Sequence, residues 1–373
     1  MYANKPTKRK VSFPINKKLK KYLKKHNRIK KLPIQYEDLI HYQMSMPLLD
    51  NNGNDTLWET VFYNEYEQEE IYEALVKIYA FLKTDGDREG LDYLDVARID
   101  YCTFGNTQPF RVRIINKIND NYDHFYVKRI DASRVYGLEL EEIMSPNHVY
   151  YFVDRDTLIE EHIIGVPGTD FIDHHLKGLS EFNEIRLAKE FVKFNERCFV
   201  RLLGDMRAYN YVVDITPDIE GDQYRIRAID FDQQSYEGRK SFYLPQYFKE
   251  NNPIIFLGMK HMSAETVRQY QLEERSLIAY RIRNDQLRVN QLIKIMLKDK
   301  ISDRDKVKKL RTELAQHHNN EMFLTCKSMG QIVLTNIQLL LNKDFKQSIL
   351  GRKNKVLPLI KKAPENISYS KDL

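Results

Sequence analysis

The 373-residue sequence predicts an α+β chain in two lobes, a small five-stranded antiparallel lobe with one helix followed by a larger, mostly helical lobe. Three observations predict it. Residues 96–163 read as three strands, a helix and two strands. Beyond Gly165 helical periodicity takes over and runs to about Asn342, interrupted by one hairpin at 211–229. A hydrophobic content of 42%, with 12% aromatic residues, supplies a sizeable core and excludes global disorder.

The chain divides in sequence into a basic arm at 1–32, a helical extension at 33–90, the small lobe at 91–165 and the helical lobe at 166–373. Between Lys5 and Lys31 stand thirteen Lys and Arg and no Asp or Glu, which leaves the rest with 46 basic against 53 acidic residues and a net charge of −7. Within the arm, Leu19, Tyr22, Leu23, His26 and Ile29 recur at helical spacing and predict an amphipathic helix from Asn16 to about Lys31. Such a helix suits an anionic membrane or a nucleic acid; a solubilising tail, or a helix docked on its own domain, fits equally.

After the turn at Asn51-Asn52-Gly53-Asn54, the apolar residues from Leu57 to Leu82 read as one or two amphipathic helices. Strands are then expected at 96–103, 109–115 and 124–130. In the second, Phe110, Val112 and Ile114 alternate with Arg111 and Arg113. A helix follows at 132–144 with Asp131 or Ser133 as its cap, then strands at 149–153 and 158–163 around the turn at Asp154-Arg155-Asp156. Farther on come a helix at 185–196, a break at Gly204-Asp205, and the hairpin of 211–215 and 224–229.

Cys102, Cys198 and Cys326 are too scattered for a disulfide framework or a zinc site and read as buried free thiols. No apolar run approaches the roughly 20 residues that span a bilayer. The lysine-rich opening lacks the apolar centre of a secretion signal, so a cytoplasmic location is expected. The adjacent His174-His175 would point apart on any regular element and, like His162, read as solvated rather than as metal ligands.

The chemistry concentrates in Leu203-Gly204-Asp205-Met206-Arg207-Ala208-Tyr209-Asn210-Tyr211 and, one hairpin later, Ala228-Ile229-Asp230-Phe231-Asp232. Either pattern alone is common by chance. Together, and in this order behind a strand lysine and a helix, they resemble the protein-kinase-like superfamily over about residues 95–235. The third residue of Asp-Phe-Asp is not Gly and no Ala-Pro-Glu segment follows. The resemblance is therefore nearer to aminoglycoside- and choline-kinase-like phosphotransferases than to typical protein kinases.

That resemblance implies ATP and Mg²⁺ as cofactors and transfer of the γ-phosphoryl group to a hydroxyl of an unidentified acceptor. It implies Asp205 as the group that orients the hydroxyl and takes its proton, Arg207 as a cation beside the phosphoryl group, and Asn210 with Asp230 as metal ligands. It further implies Lys128 on the third strand as the phosphate-binding lysine. Glu142 is its first-choice carboxylate partner and Glu139, one turn earlier, the fallback. Backbone groups near Glu161 and Ile163 would meet adenine, and the phosphate-covering loop would be Phe104-Gly105-Asn106-Thr107-Gln108, with Gly105 and Thr107 at the phosphates. The single glycine in that loop, and Leu203 where kinases carry His, leave open a nucleotide-binding pseudokinase or scaffold.

Overall fold

The computed structural model describes residues 10–50, 53–83, 91–103 and 106–348, and the chain forms two compact units. The first comprises Met1–Asp131 with Val149–His162, the second Ala132–His148 with Ile163–Leu373. Among the described residues no helix is long and apolar enough to cross a membrane. Gly105 lies outside the described residues.

The first unit begins with helix α1 (Lys17–Lys25), whose N-terminal amides at Lys18 and Leu19 donate to the Asn16 side chain. It is shorter than its sequence periodicity suggested, because the chain turns at His26 and Asn27 and then lays Ile29 beside Val153. A capping box between Gln35 and Asp38 starts α2 (Tyr36–Ile40).

The segment expected to be helical then supplies two strands, β1 (Met44–Leu49) and β2 (Asp55–Phe62), before α3 (Glu65–Lys83). They continue an antiparallel sheet through β3 (Leu94–Cys102), β4 (Phe110–Asn116), β5 (Tyr122–Arg129), β6 (Tyr151–Asp154) and β7 (Thr157–Glu161). The sheet has seven strands in the order β1-β2-β3-β4-β5-β7-β6, not the five expected. Pro47 and the half-exposed faces of β1 and β2 blur the period-two signal that would have marked them.

Alternation on the central strands places Phe110, Val112, Ile114, Phe125 and Val127 in one core with Ile71, Leu75, Ile78 and Leu82 of α3. On β3 the fully buried Asp100 is satisfied by Arg98, Arg111 and the Thr60 hydroxyl.

The second unit contains α4 (Ala132–Met144), at the expected bounds. After β8 (Val166–Pro167) and the one-turn α5 (Gly168–Asp170), the long α6 (Glu181–Arg201) is capped by Ser180. Strand β9 (Tyr211–Asp218) pairs with β8 on one side and with β10 (Gly221–Ala228) on the other. Helices α7 (Asn252–His261), α8 (Ala264–Asn284), α9 (Gln286–Met296), α10 (Arg304–His318) and α11 (Met329–Ser348) complete the unit. Helix α6 packs against β10, α7 and α8, and buried ion pairs tie its charged residues down: Arg197 meets Glu190, and Arg201 meets Glu141 of α4.

Candidate active site

Helix α6 ends where Leu202 turns left-handed (φ 58°), and three residues later Asp205 does the same (φ 61°). A left-handed non-glycine residue is disfavoured, least so for Asp and Asn, and persists only where its surroundings hold it. The surroundings here are specific. The Ser235 N–H donates to the Leu202 carbonyl (2.8 Å), and the Asp205 N–H donates to the Phe242 carbonyl (3.0 Å). The fully buried Asn251 amide donates to the carbonyls of Met206 (3.0 Å) and Pro245 (2.8 Å), while its oxygen accepts from the Tyr211 hydroxyl (2.9 Å). Gly168 presses on the same loop. A Cβ there would collide with the Ala208 carbonyl oxygen, so the approach admits only glycine.

Within this frame Asn210 Nδ2 donates to the backbone carbonyl of Asp205 at 2.7 Å. A carbonyl only accepts, so the amide orientation is fixed and Asn210 presents its oxygen as the remaining acceptor. The Ile229 N–H donates to the Asn210 carbonyl (3.0 Å), which sets the loop beside the Ile229–Asp232 segment. Burial pushes the Asp205 carboxyl up to about 6; Arg207 pulls it down, and Asp230 pushes it up again. The two acids are thus close enough to oppose each other's ionisation.

Asp230 is positioned by contacts the sequence did not announce. Its Oδ1 accepts from the Asp232 N–H (2.9 Å) and from Arg134 Nη1 (2.9 Å), and the same nitrogen donates to Asp232 Oδ1 (2.6 Å). Arg134 stands on α4 and is 1% exposed. Ser133 beside it donates to the Gln234 carbonyl (2.6 Å), and Gly137 lies against Phe231. Helix α4 therefore contributes an arginine to the Asp-Phe-Asp segment. Asp232, at the position where the resemblance implies glycine, was the available signal, since a buried carboxylate demands a cation.

Arg207 Nε donates to Asp205 Oδ1 (3.1 Å) and its Nη1 to Glu250 (2.6 Å), while the guanidinium lies over the Phe248 ring. It is held as a neighbour of the acid.

In the first unit the Lys128 ammonium, 6% exposed, donates to Glu160 at 2.7 Å. Leu158 is the residue opposite Lys128, so Glu160 is its diagonal neighbour across β5 and β7. The glutamates expected as lysine partners are engaged elsewhere. Glu139 binds Arg288 through two guanidinium nitrogens (2.8 and 3.2 Å), and Glu142 meets His148 (3.2 Å). Cross-strand pairing is non-local, which is why helical spacing gave no sign of Glu160.

Thr107 lies in the bend between β3 and β4. Glu161 closes β7 by accepting from the Tyr150 N–H (2.7 Å), and Ile163 is buried. His162 is not solvated: its ring hydrogen-bonds the Tyr126 hydroxyl (3.2 Å) and lies against His124.

A divalent cation of the magnesium type takes hard oxygen ligands, usually one or two carboxylates together with phosphates and waters. The Asn210 oxygen and Asp230 fit that partial set. Among the described residues no group of three or more His, Cys, Asp or Glu is placed to hold a metal ion. No protein-family model matches the chain, and no curated protein matches its sequence.

Proposed function

We propose that the chain is an ATP- and Mg²⁺-dependent phosphotransferase of protein-kinase-like fold, transferring the γ-phosphoryl group to a hydroxyl of a small-molecule or protein acceptor. The observation that carries this reading is the cluster of Asp205, Asn210 and Asp230. One loop carries an acid with its proton affinity raised to about 6 and an amide whose oxygen remains an acceptor, and a second segment brings a carboxylate near enough to raise that affinity. Phosphoryl transfer requires such a set: a group to orient the attacking hydroxyl and oxygen ligands for a metal.

In this mechanism Asp205 accepts the hydroxyl proton as the acceptor oxygen attacks, and its affinity near neutrality suits that task. Asn210 and Asp230 would hold the metal, which would supply charge neutralisation at the phosphates. Arg134 keeps Asp230 aimed, and Lys128, held by Glu160, is the residue that would meet nucleotide phosphate. Three buried free thiols suit a reducing, cytoplasmic setting.

The test is a melting-temperature titration with ATP and Mg²⁺, run beside Asp230→Asn. A concentration-dependent rise that needs Mg²⁺ and disappears in the variant supports the reading. No rise in the native chain removes it.

A nucleotide-binding scaffold is the second reading, favoured by Arg207 and Arg134 already sitting on the two acids. ATP consumption that is lost in Asp205→Asn, while the melting shift survives, decides for the enzyme.

A further inference from the structure

Helix α1 carries six lysines in nine residues. At about 100° per residue, Lys17, Lys18, Lys20, Lys21, Lys24 and Lys25 fall within an arc of about 160°. Leu19, Tyr22 and Leu23 occupy the opposite side and are buried at 0, 4 and 0% exposure, whereas all six lysines are exposed. No acidic residue occurs between Lys10 and Tyr36. Among the described residues, no ion pair links Lys17, Lys18, Lys20, Lys21 or Lys24 to a carboxylate.

Other cations of the arm behave differently. Lys10 pairs with Asp131 (2.5 Å), Arg28 lies over the Tyr151 ring, and Lys30 over Phe152. These three help to hold the arm to its unit. The helix is also fixed at both ends, by the Asn16 cap and by the Val153 N–H donating to the Arg28 carbonyl (2.8 Å). The lysines therefore form a ridge of set spacing, about 13 Å long.

We infer that this ridge is a docking surface for the phosphate backbone of a nucleic acid. A helix that lies in a membrane interface buries its apolar side at the acyl boundary. Here that side is already buried in protein, so only electrostatic attraction remains. Among polyanions a duplex offers the denser array, about one charge per 1.7 Å of axis, and releases counterions when lysines replace them. Base edges play no part, since lysines on one convex face meet phosphates and carry no sequence code. The inference is independent of the phosphotransferase reading.

The test uses the full chain, a mixed-sequence duplex of about 20 base pairs and a salt titration starting near 50 mM. A variant with Lys17, Lys18, Lys20, Lys21 and Lys24 all changed to Gln removes the charge and leaves the buried side intact. A second variant changes the same five to Arg. The native chain and the Arg variant should bind, with affinity falling steeply as salt rises. The Gln variant, at an unchanged melting temperature, should bind at least tenfold more weakly, its log–log salt slope shallower by about 0.9 for each phosphate that is no longer neutralised. Equal binding by the Gln variant, or no binding by the native chain near 50 mM salt, overturns the inference. Binding to phosphatidylserine vesicles but not to the duplex overturns it too and assigns the ridge to a membrane surface.

Discussion

Asn210 holds the backbone carbonyl of Asp205 through its side-chain nitrogen at 2.7 Å, so the residue offered as a metal ligand also shapes the loop that carries the acid. Replacing Asn210 by Asp sets an acceptor against an acceptor and adds a negative charge near two carboxylates. Asn210→Asp should abolish turnover and raise the Asp205 proton affinity further. A pH titration of the carboxyl resonances in the folded variant checks the second effect.

If Asp205 serves as the proposed base, the property that suits it to that role works against stability. Its carboxyl titrates near 6 in the folded chain against an ordinary value of 3.8. Below about pH 4 both folded and unfolded chains carry the proton and nothing is lost. As pH rises toward 6 the unfolded chain releases it first, so folding loses stability until the folded group also ionises. Asp205→Asn should therefore stabilise the fold at pH 7 by up to about 3 kcal/mol, with the gain fading below pH 4. Urea unfolding at several pH values measures this. Turnover of the native chain should rise through about pH 6 as the acid becomes a base.

Arg134 neutralises two carboxylates from inside the fold, at 2.9 and 2.6 Å. Arg134→Met takes this cation away from both and should cost about 3–5 kcal/mol by urea unfolding. Asp232→Asn should cost less, because Asp230 retains its cation. The pair of changes together should fall short of the sum, which a double-mutant cycle reads directly.

Lys128 gives the sharpest comparison between sheet and helix. Glu160→Gln should weaken ATP binding about tenfold by freeing the ammonium from its charged partner. Glu142→Gln should leave ATP affinity nearly unchanged. Calorimetric titration of both variants checks it. The reverse ranking would return the lysine to a helix partner.

Much of the fold was readable because its signals are local. The 132–144 helix matched at both ends, and the Phe110, Val112, Ile114 alternation marked β4. Strands β1 and β2 escaped because residues half-exposed on both faces display no clear apolar period. Within the site, the loop residues were legible from spacing, while the partners that fix them were not. Arg134 lies 96 residues from Asp230 and Glu250 lies 43 from Arg207, and no periodicity connects such positions.

Those separations bear on how the chain reaches its working state. The bend at Asp205 is borrowed from segments around Phe242 and Asn251, which must close long loops before they can hold it. Until they arrive, the carboxyl keeps the acidity of a free side chain. Proton uptake by Asp205 near pH 5 thus reports the moment during refolding when those segments close over the loop.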